Sequence, residues 1–129
     1  MNDSLFKQQF IFKAKVLRVY DGDTITVDAD LCFNIKMKAS VRVAGIDTPE
    51  IRTRNKEEKK LGYAARDRMK ELCGKVVWLE SLGGGKLDKY GRVLANLYTY
   101  KDIKDIAATL IEEGHGVTYD GSKKTHVWA

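Results

Sequence analysis

Between Ser40 and Glu50 the chain reads Ser-Val-Arg-Val-Ala-Gly-Ile-Asp-Thr-Pro-Glu, an apolar strand with one arginine inside it and two carboxylates at its end. Buried charge is costly unless it is paired or holds a metal, so a strand that keeps Arg42 and Asp47 among core residues needs a charged task. Catalysis on an anion is one such task. Five residues separate the two, which in a regular strand sends them to opposite faces. Gly45 lies between them, and an isolated glycine in a strand pattern signals a bulge or bend that lets both side chains reach one pocket. Pro49 fixes the exit and leaves Glu50 at the rim. The plainer alternative is an edge strand with an exposed arginine before an Asp-Thr-Pro turn, and this stretch taken alone favours it.

What this stretch belongs to is limited by size and charge. A chain of 129 residues, 43% hydrophobic and 32% charged, suits one globular domain with a single core rather than a disordered or membrane-spanning segment. Its net charge of +5 favours polyanionic partners and speeds encounter with them. Lys7, Lys13 and Lys15 interrupt the apolar residues from Met1 to Val16, so the continuous apolar region of a signal peptide is missing. A cytoplasmic location is therefore expected of the chain as it stands, with secretion open if a leader has been removed. Cys32 and Cys73 lack metal-ligand spacing and read as two unlinked thiols.

Phe10, Phe12, Ala14 and Val16 alternate with polar residues, which predicts a strand from Phe10 to Tyr20. Asp21-Gly22 signals a tight hairpin turn, Thr24 to Val27 the return strand, Asp28 to Asn34 a loop, and Ile35 to Ile46 the third strand. From Asn55 to Cys73 the spacing becomes helical, with Leu61, Ala65, Met69 and Leu72 on one face. Asn55 and Glu58 suit a capping box, and Gly74 a stop. Val76 to Leu82 and Arg92 to Tyr100 read as two further strands, joined by an open, mobile loop with three consecutive glycines. Asp102 to Glu113 reads as a second helix whose Ile103, Ile106, Ala107, Leu110 and Ile111 face the core. His115 to Ala129 reads as mostly irregular. Three strands, a helix and two strands is the order of a five-stranded oligonucleotide/oligosaccharide-binding barrel, an α+β fold that is mainly β. A ferredoxin-like sandwich would need a helix after its first strand.

Four separated pieces carry chemistry: Asp21-Gly22-Asp23-Thr24, Arg42, Asp47-Thr48-Pro49-Glu50, and Asp88-Lys89-Tyr90-Gly91-Arg92. Together they resemble the staphylococcal nuclease (thermonuclease) family, whose signatures are a D-G-D-T turn, an R-x4-D-T-P-E strand end and a D-K-Y-G-R turn, in that order. The resemblance extends from about Ala14 to Tyr119. It implies a calcium-dependent endonuclease that hydrolyses DNA and RNA with little sequence specificity and leaves 3'-phosphates. Separately, no membrane and no obligate protein partner is expected, and the chain is read as a monomer, although the sequence itself carries no signal for oligomeric state. The alternative from another class is a barrel that binds single strands without cleaving them.

By the same resemblance Asp23, Asp47 and the backbone carbonyl of Thr48 would bind Ca2+, hard oxygen donors on turns that suit its flexible shell. Asp21 would either support the ligands from behind or simply shape the turn. Glu50 matches the general base for the attacking water. Arg42 and Arg92 match two arginines that grip the scissile phosphate, where a planar fork donates paired hydrogen bonds that lysine cannot copy. Lys89 and Tyr90 would flank a neighbouring phosphate, and Tyr119 would offer a stacking face to a base. One departure from the pattern is the longer segment between Asp23 and Arg42, with Asp28 to Lys38 inserted or extended.

Overall fold

A computed structural model describes residues 10–122 and 126–128; Lys123 and Lys124 of the tail lie outside the described residues. Alternation builds the first strand, β1 (Ile11–Val19), but the alternation is broken once. Ala14 is fully buried and Val16 packs against the core, so Arg18, in the same phase, would also turn inward. It does not, because Leu17 is an extra residue: Val16 pairs with Val27 and Arg18 with Thr26. This bulge resets the phase, so that Val19 enters the core and Arg18 stays outside.

Strands β2 (Thr24–Asp30) and β3 (Lys36–Val43) form a hairpin longer than the sequence suggested. The loop expected from Asp28 is strand instead, with Asp28 opposite Lys38 and Asp30 opposite Lys36, pairings in which opposite charges support the ladder. The extra length between Asp23 and Arg42 is thus taken up as hairpin. Its tip holds Cys32, Phe33 and Asn34, all with positive φ, and leaves Phe33 exposed.

At the other end β3 stops at Val43, three residues earlier than expected. Ala44 and Gly45 make a turn, with Gly45 at φ +80°, and the chain re-enters as β4 (Ile46–Asp47). β4 is not part of the barrel: it pairs with β7 (Val117–Thr118). The stretch from His115, read as mostly irregular, therefore contains a short strand that brackets Asp47.

The barrel itself closes in the order β1-β2-β3-β6-β5, with β5 (Val76–Ser81) hydrogen-bonded back to β1. β6 (Val93–Thr99) runs antiparallel to β5 and parallel to β3. This is the expected five-stranded, mainly β architecture. Ile25, Val27, Val41, Val43, Val77 and Leu97 fill its interior. Among the described residues no helix is long and apolar enough to cross a membrane.

Helix α1 (Lys56–Cys73) starts at Asn55, whose side chain accepts from the backbone N–H groups of Glu57 and Glu58. The expected capping box is only half made. Glu58 turns its carboxylate to the N–H of Glu50 (3.0 Å), and the N–H of Asn55 donates to Thr53 Oγ1 instead. The buried face is Gly62, Ala65, Met69 and Cys73, while Leu61, expected inward, is exposed. Gly62 decides this, because its bare Cα lets the helix lie against the Pro49–Glu50 backbone: a Cβ there would stand 2.9 Å from the Glu50 carbonyl oxygen. Helix α2 (Ile106–Glu112) begins at Asp105, which caps Ala108 N–H, rather than at Asp102. Ile103 lies before it at φ +53° and is exposed, not core; Ile106 and Leu110 supply the buried face.

Candidate active site

Val41 and Val43 point into the barrel, so Arg42 between them points out. Two turns cover it there. The β1–β2 turn, Asp21 to Asp23, lies on one side: Val43 N–H donates to the Asp23 carbonyl (2.9 Å). The Ala44-Gly45 turn brings Ile46 round on the other. Arg42 donates through Nη1 to the Val43 carbonyl (2.6 Å) and through Nη2 to the Ile46 carbonyl (2.8 Å), with Nη2 3.7 Å from Asp23 Oδ2. A guanidinium has five N–H donors in a fixed fork, so these bonds orient Arg42 and leave donors for an incoming anion. The Tyr119 ring lies 5.7 Å from Arg42 Cζ, and Tyr119 N–H donates to the Gly45 carbonyl.

Asp23 is buried and ties the two turns together. Its Oδ2 accepts from the N–H (3.1 Å) and hydroxyl (3.0 Å) of Thr48, and its Oδ1 accepts from Thr24 Oγ1. Two glycines allow this closeness. A Cβ on Gly22 would meet the Thr48 side chain at 2.7 Å, and one on Gly116 would meet Ile46 at 2.5 Å and the Asp47 carbonyl at 3.2 Å. Asp21 is a turn residue, as expected, its Oδ1 accepting Asp23 N–H (3.0 Å). Burial, then the charge of Asp23, push the Asp21 carboxyl up to about 7, with a further push from Glu50. Asp21, Asp23, Asp47 and Thr48 are all buried, whereas Glu50 is exposed at the margin.

The second group stands on the β5–β6 loop. Asp88 Oδ1 accepts the N–H groups of Tyr90 (2.9 Å) and Arg92 (2.8 Å), and its Oδ2 accepts Arg92 Nε (3.0 Å). Partial burial pulls the Asp88 carboxyl up, but those N–H groups and the Arg92 guanidinium outweigh it and hold the carboxyl below its ordinary range. The exposed Tyr90 ring has two cations beside it, Lys89 Nζ at 5.1 Å and Arg92 Cζ at 5.2 Å. Register relates this loop to Arg42. Arg42 pairs with Leu94 across the parallel β3–β6 ladder, so Arg92, two residues earlier, lies on the same outer face one pleat repeat away.

The structure thus gathers Asp23, Arg42, Asp47, Thr48 and Tyr119 at one end of the barrel, with Glu50 at its edge, and holds Lys89, Tyr90 and Arg92 on a loop along the same face. Three contributors escaped the sequence reading. Glu58 anchors the Glu50 backbone, Gly62 admits it against α1, and Asp88 sets the direction of Arg92. Only Asp88 left a signal, its place in the D-K-Y-G-R turn.

A closed five-stranded barrel with two helices is the oligonucleotide/oligosaccharide-binding architecture, and this one carries buried acids, a buried arginine and an exposed basic-aromatic loop at its rim. Comparison with known proteins is more specific. The staphylococcal nuclease homologue family matches residues 40–127, and the chain belongs to that family. The endonuclease YncB of Bacillus subtilis (strain 168) is 43% identical over 99 residues, 75% of this chain and 43% of its own. The SPbeta prophage-derived endonuclease YokF of the same organism is 42% identical over 75% of this chain and 31% of its own. A thermonuclease of Staphylococcus hyicus is 39% identical over 90 residues, 69% of this chain and 50% of its own. The chain therefore spans half or less of the length of these curated relatives.

Proposed function

We propose that this chain is a calcium-dependent endonuclease that hydrolyses phosphodiester bonds in DNA and RNA with little sequence specificity, and that it acts as a monomer. The observation that carries the reading is Arg42: a buried guanidinium, oriented by two backbone carbonyls beside the Asp23 carboxylate, on a surface that also bears Arg92. Such an arrangement suits a phosphate whose charge grows in the transition state. Membership of the family and the endonuclease and thermonuclease names of its relatives support it.

The donor set fits calcium. Asp23 on the β1–β2 turn, with Asp47 and the Thr48 carbonyl at the end of β4, would offer it hard oxygens, and Asp21 stands beside them, its carboxyl raised first by burial and then by the charge of Asp23. Among the described residues no three His, Cys, Asp or Glu side chains form a ready metal cluster. When bound, calcium supplies positive charge against the phosphate and a fixed place for water. The protein does the rest: Glu50 accepts a proton from the attacking water, whose oxygen bonds to phosphorus as the bond to the 5' oxygen breaks, and the departing 5' oxygen takes a proton from solvent. Arg42 and Arg92 donate to the phosphoryl oxygens, Lys89 and Tyr90 bind the adjoining phosphate, and Tyr119 offers its ring to a base.

Plasmid incubated with the protein in calcium or in chelator tests this. Cleavage only with calcium, and its loss in Asp47→Ala with the fold intact by circular dichroism, is the expected result. Binding of oligonucleotide with no cleavage in any divalent cation would make the chain the binding barrel instead.

A further inference from the structure

Beside the β1–β2 turn runs an open groove of about 510 Å³ between β1 and α1, whose charged walls are Arg18, Arg66 and Lys70. Its other lining residues are apolar or uncharged, among them Leu17 and Tyr20. Arg66 meets one carboxylate, Asp67 at 3.0 Å, which is itself exposed and outside the groove lining. Three cations across one concavity repel one another unless an anion lies between them.

The position of these cations is built, not incidental. Without the Leu17 bulge Arg18 would take the inward phase; with it, Arg18 faces the groove. Arg66 and Lys70 are four residues apart on α1, hence on one face of the helix. Two cations come with an aromatic surface, Arg18 5.5 Å from the Tyr20 ring and Arg66 4.6 Å from the Tyr63 ring. Tyr20 and Tyr63 are both partly exposed. The groove also has a direction: Tyr20 lines it and Asp21 follows, so one end opens at the turn that carries Asp23.

We propose that this groove is an accessory subsite for the phosphodiester backbone of a nucleic-acid strand, engaged several nucleotides away from the bond cleaved. The inference rests on the nuclease reading, and it assigns the groove to the same polyanionic substrate. Arg18, Arg66 and Lys70 bind consecutive phosphates, and Tyr20 gives a passing base an apolar contact. Because its three cations lie on β1 and α1, beyond the turn that carries Asp23, the subsite on this proposal serves long strands and not a dinucleotide.

The test uses the triple variant Arg18→Gln, Arg66→Gln, Lys70→Gln against a charge-matched control, Lys36→Gln, Lys101→Gln, Lys104→Gln, whose residues are exposed and outside the groove. Affinity for a 20-nucleotide single strand is measured across a salt series in calcium, and cleavage of a dinucleotide is measured in parallel. Each phosphate neutralised on a single strand contributes about 0.7 to the salt slope. The groove variant should therefore lose about 2 from that slope and bind at least about tenfold more weakly at low salt. Its rate on the dinucleotide should equal wild type. Equal losses in the groove variant and the control would overturn the subsite, as would an unchanged slope. Wild type that binds the long strand through the groove yet cleaves nothing would leave the subsite standing and remove the nuclease reading. Thermal melting guards the comparison, and Arg18→Lys, which keeps the charge, should retain the wild-type slope.

Discussion

Replacing Gly62 with alanine sets helix propensity against packing at the candidate site. In an open helix the change would stabilise by about 1 kcal/mol, because glycine gives up the most backbone freedom. Here the added Cβ would sit 2.9 Å from the Glu50 carbonyl oxygen and 3.0 Å from both the Pro49 carbonyl oxygen and Ile51 Cγ1. Two of these neighbours are backbone and have no rotamer to change, so reaching an ordinary 3.4 Å contact needs a displacement of about 0.5 Å. Overpacking of this kind costs about 1–3 kcal/mol. The net is a loss of about 1 kcal/mol, or about 4 °C in melting temperature for a chain of this size. The segment displaced is the one that carries Glu50. A misplacement of about 1 Å typically costs about a hundredfold in rate, so half that distance implies about tenfold. Thermal melting and single-turnover cleavage of one oligonucleotide by Gly62→Ala read the two effects separately. A variant more stable than wild type that cleaves at the wild-type rate would refute the argument that Gly62 serves the approach of the Glu50 backbone.

Glu58→Ala should slow cleavage about fivefold with little change in melting, since it removes one exposed, charge-assisted hydrogen bond to Glu50 N–H; Glu58→Gln, which still offers an acceptor, should restore most of the rate. Asp88 has a folded-state carboxyl held below its unfolded value, so its stabilisation is complete above about pH 4 and lost as the pH falls through the folded value. Urea denaturation from pH 7 to pH 2 should therefore show a shallower acid limb in Asp88→Asn than in wild type, and coincident limbs would disprove the contribution. Thiol titration of the native protein at pH 8 should count one fast group, exposed Cys32, because burial pushes Cys73 up to about 12; unfolding should release the second.

The barrel was legible because its strands alternate and its turns carry Asp-Gly and Gly signals, which are local. The cost of burying charge raised Arg42 and Asp47 as a pair, but their stretch alone favoured an exposed edge strand, and it was the three motifs in order that singled them out. What the sequence hid was set by contacts between distant segments. The short β4 strand has no pattern of its own and exists because Val117 and Thr118 pair with it. The half-made capping box follows from competition: Glu58 could serve Asn55 or Glu50, and tertiary placement chose Glu50. Ile103 had helical spacing, but the helix begins only where Asp105 can cap Ala108. The groove beside β1 was equally hidden, since a single bulge reversed the side on which Arg18 lies.

The parallel ladder of β3 with β6 has a consequence for how the molecule comes into being. Val41 to Val43 must find Val93 to Ala95, about fifty residues further on. Antiparallel hairpins such as β2–β3 close a short loop, whereas this contact waits on a long one and on the intervening helix. On the ribosome, the β1–β2–β3 meander can form early but keeps an open edge on β3 until β6 emerges. Arg42 is then in place before Arg92 exists, so the two arginines meet only when β6 joins β3 and the barrel closes.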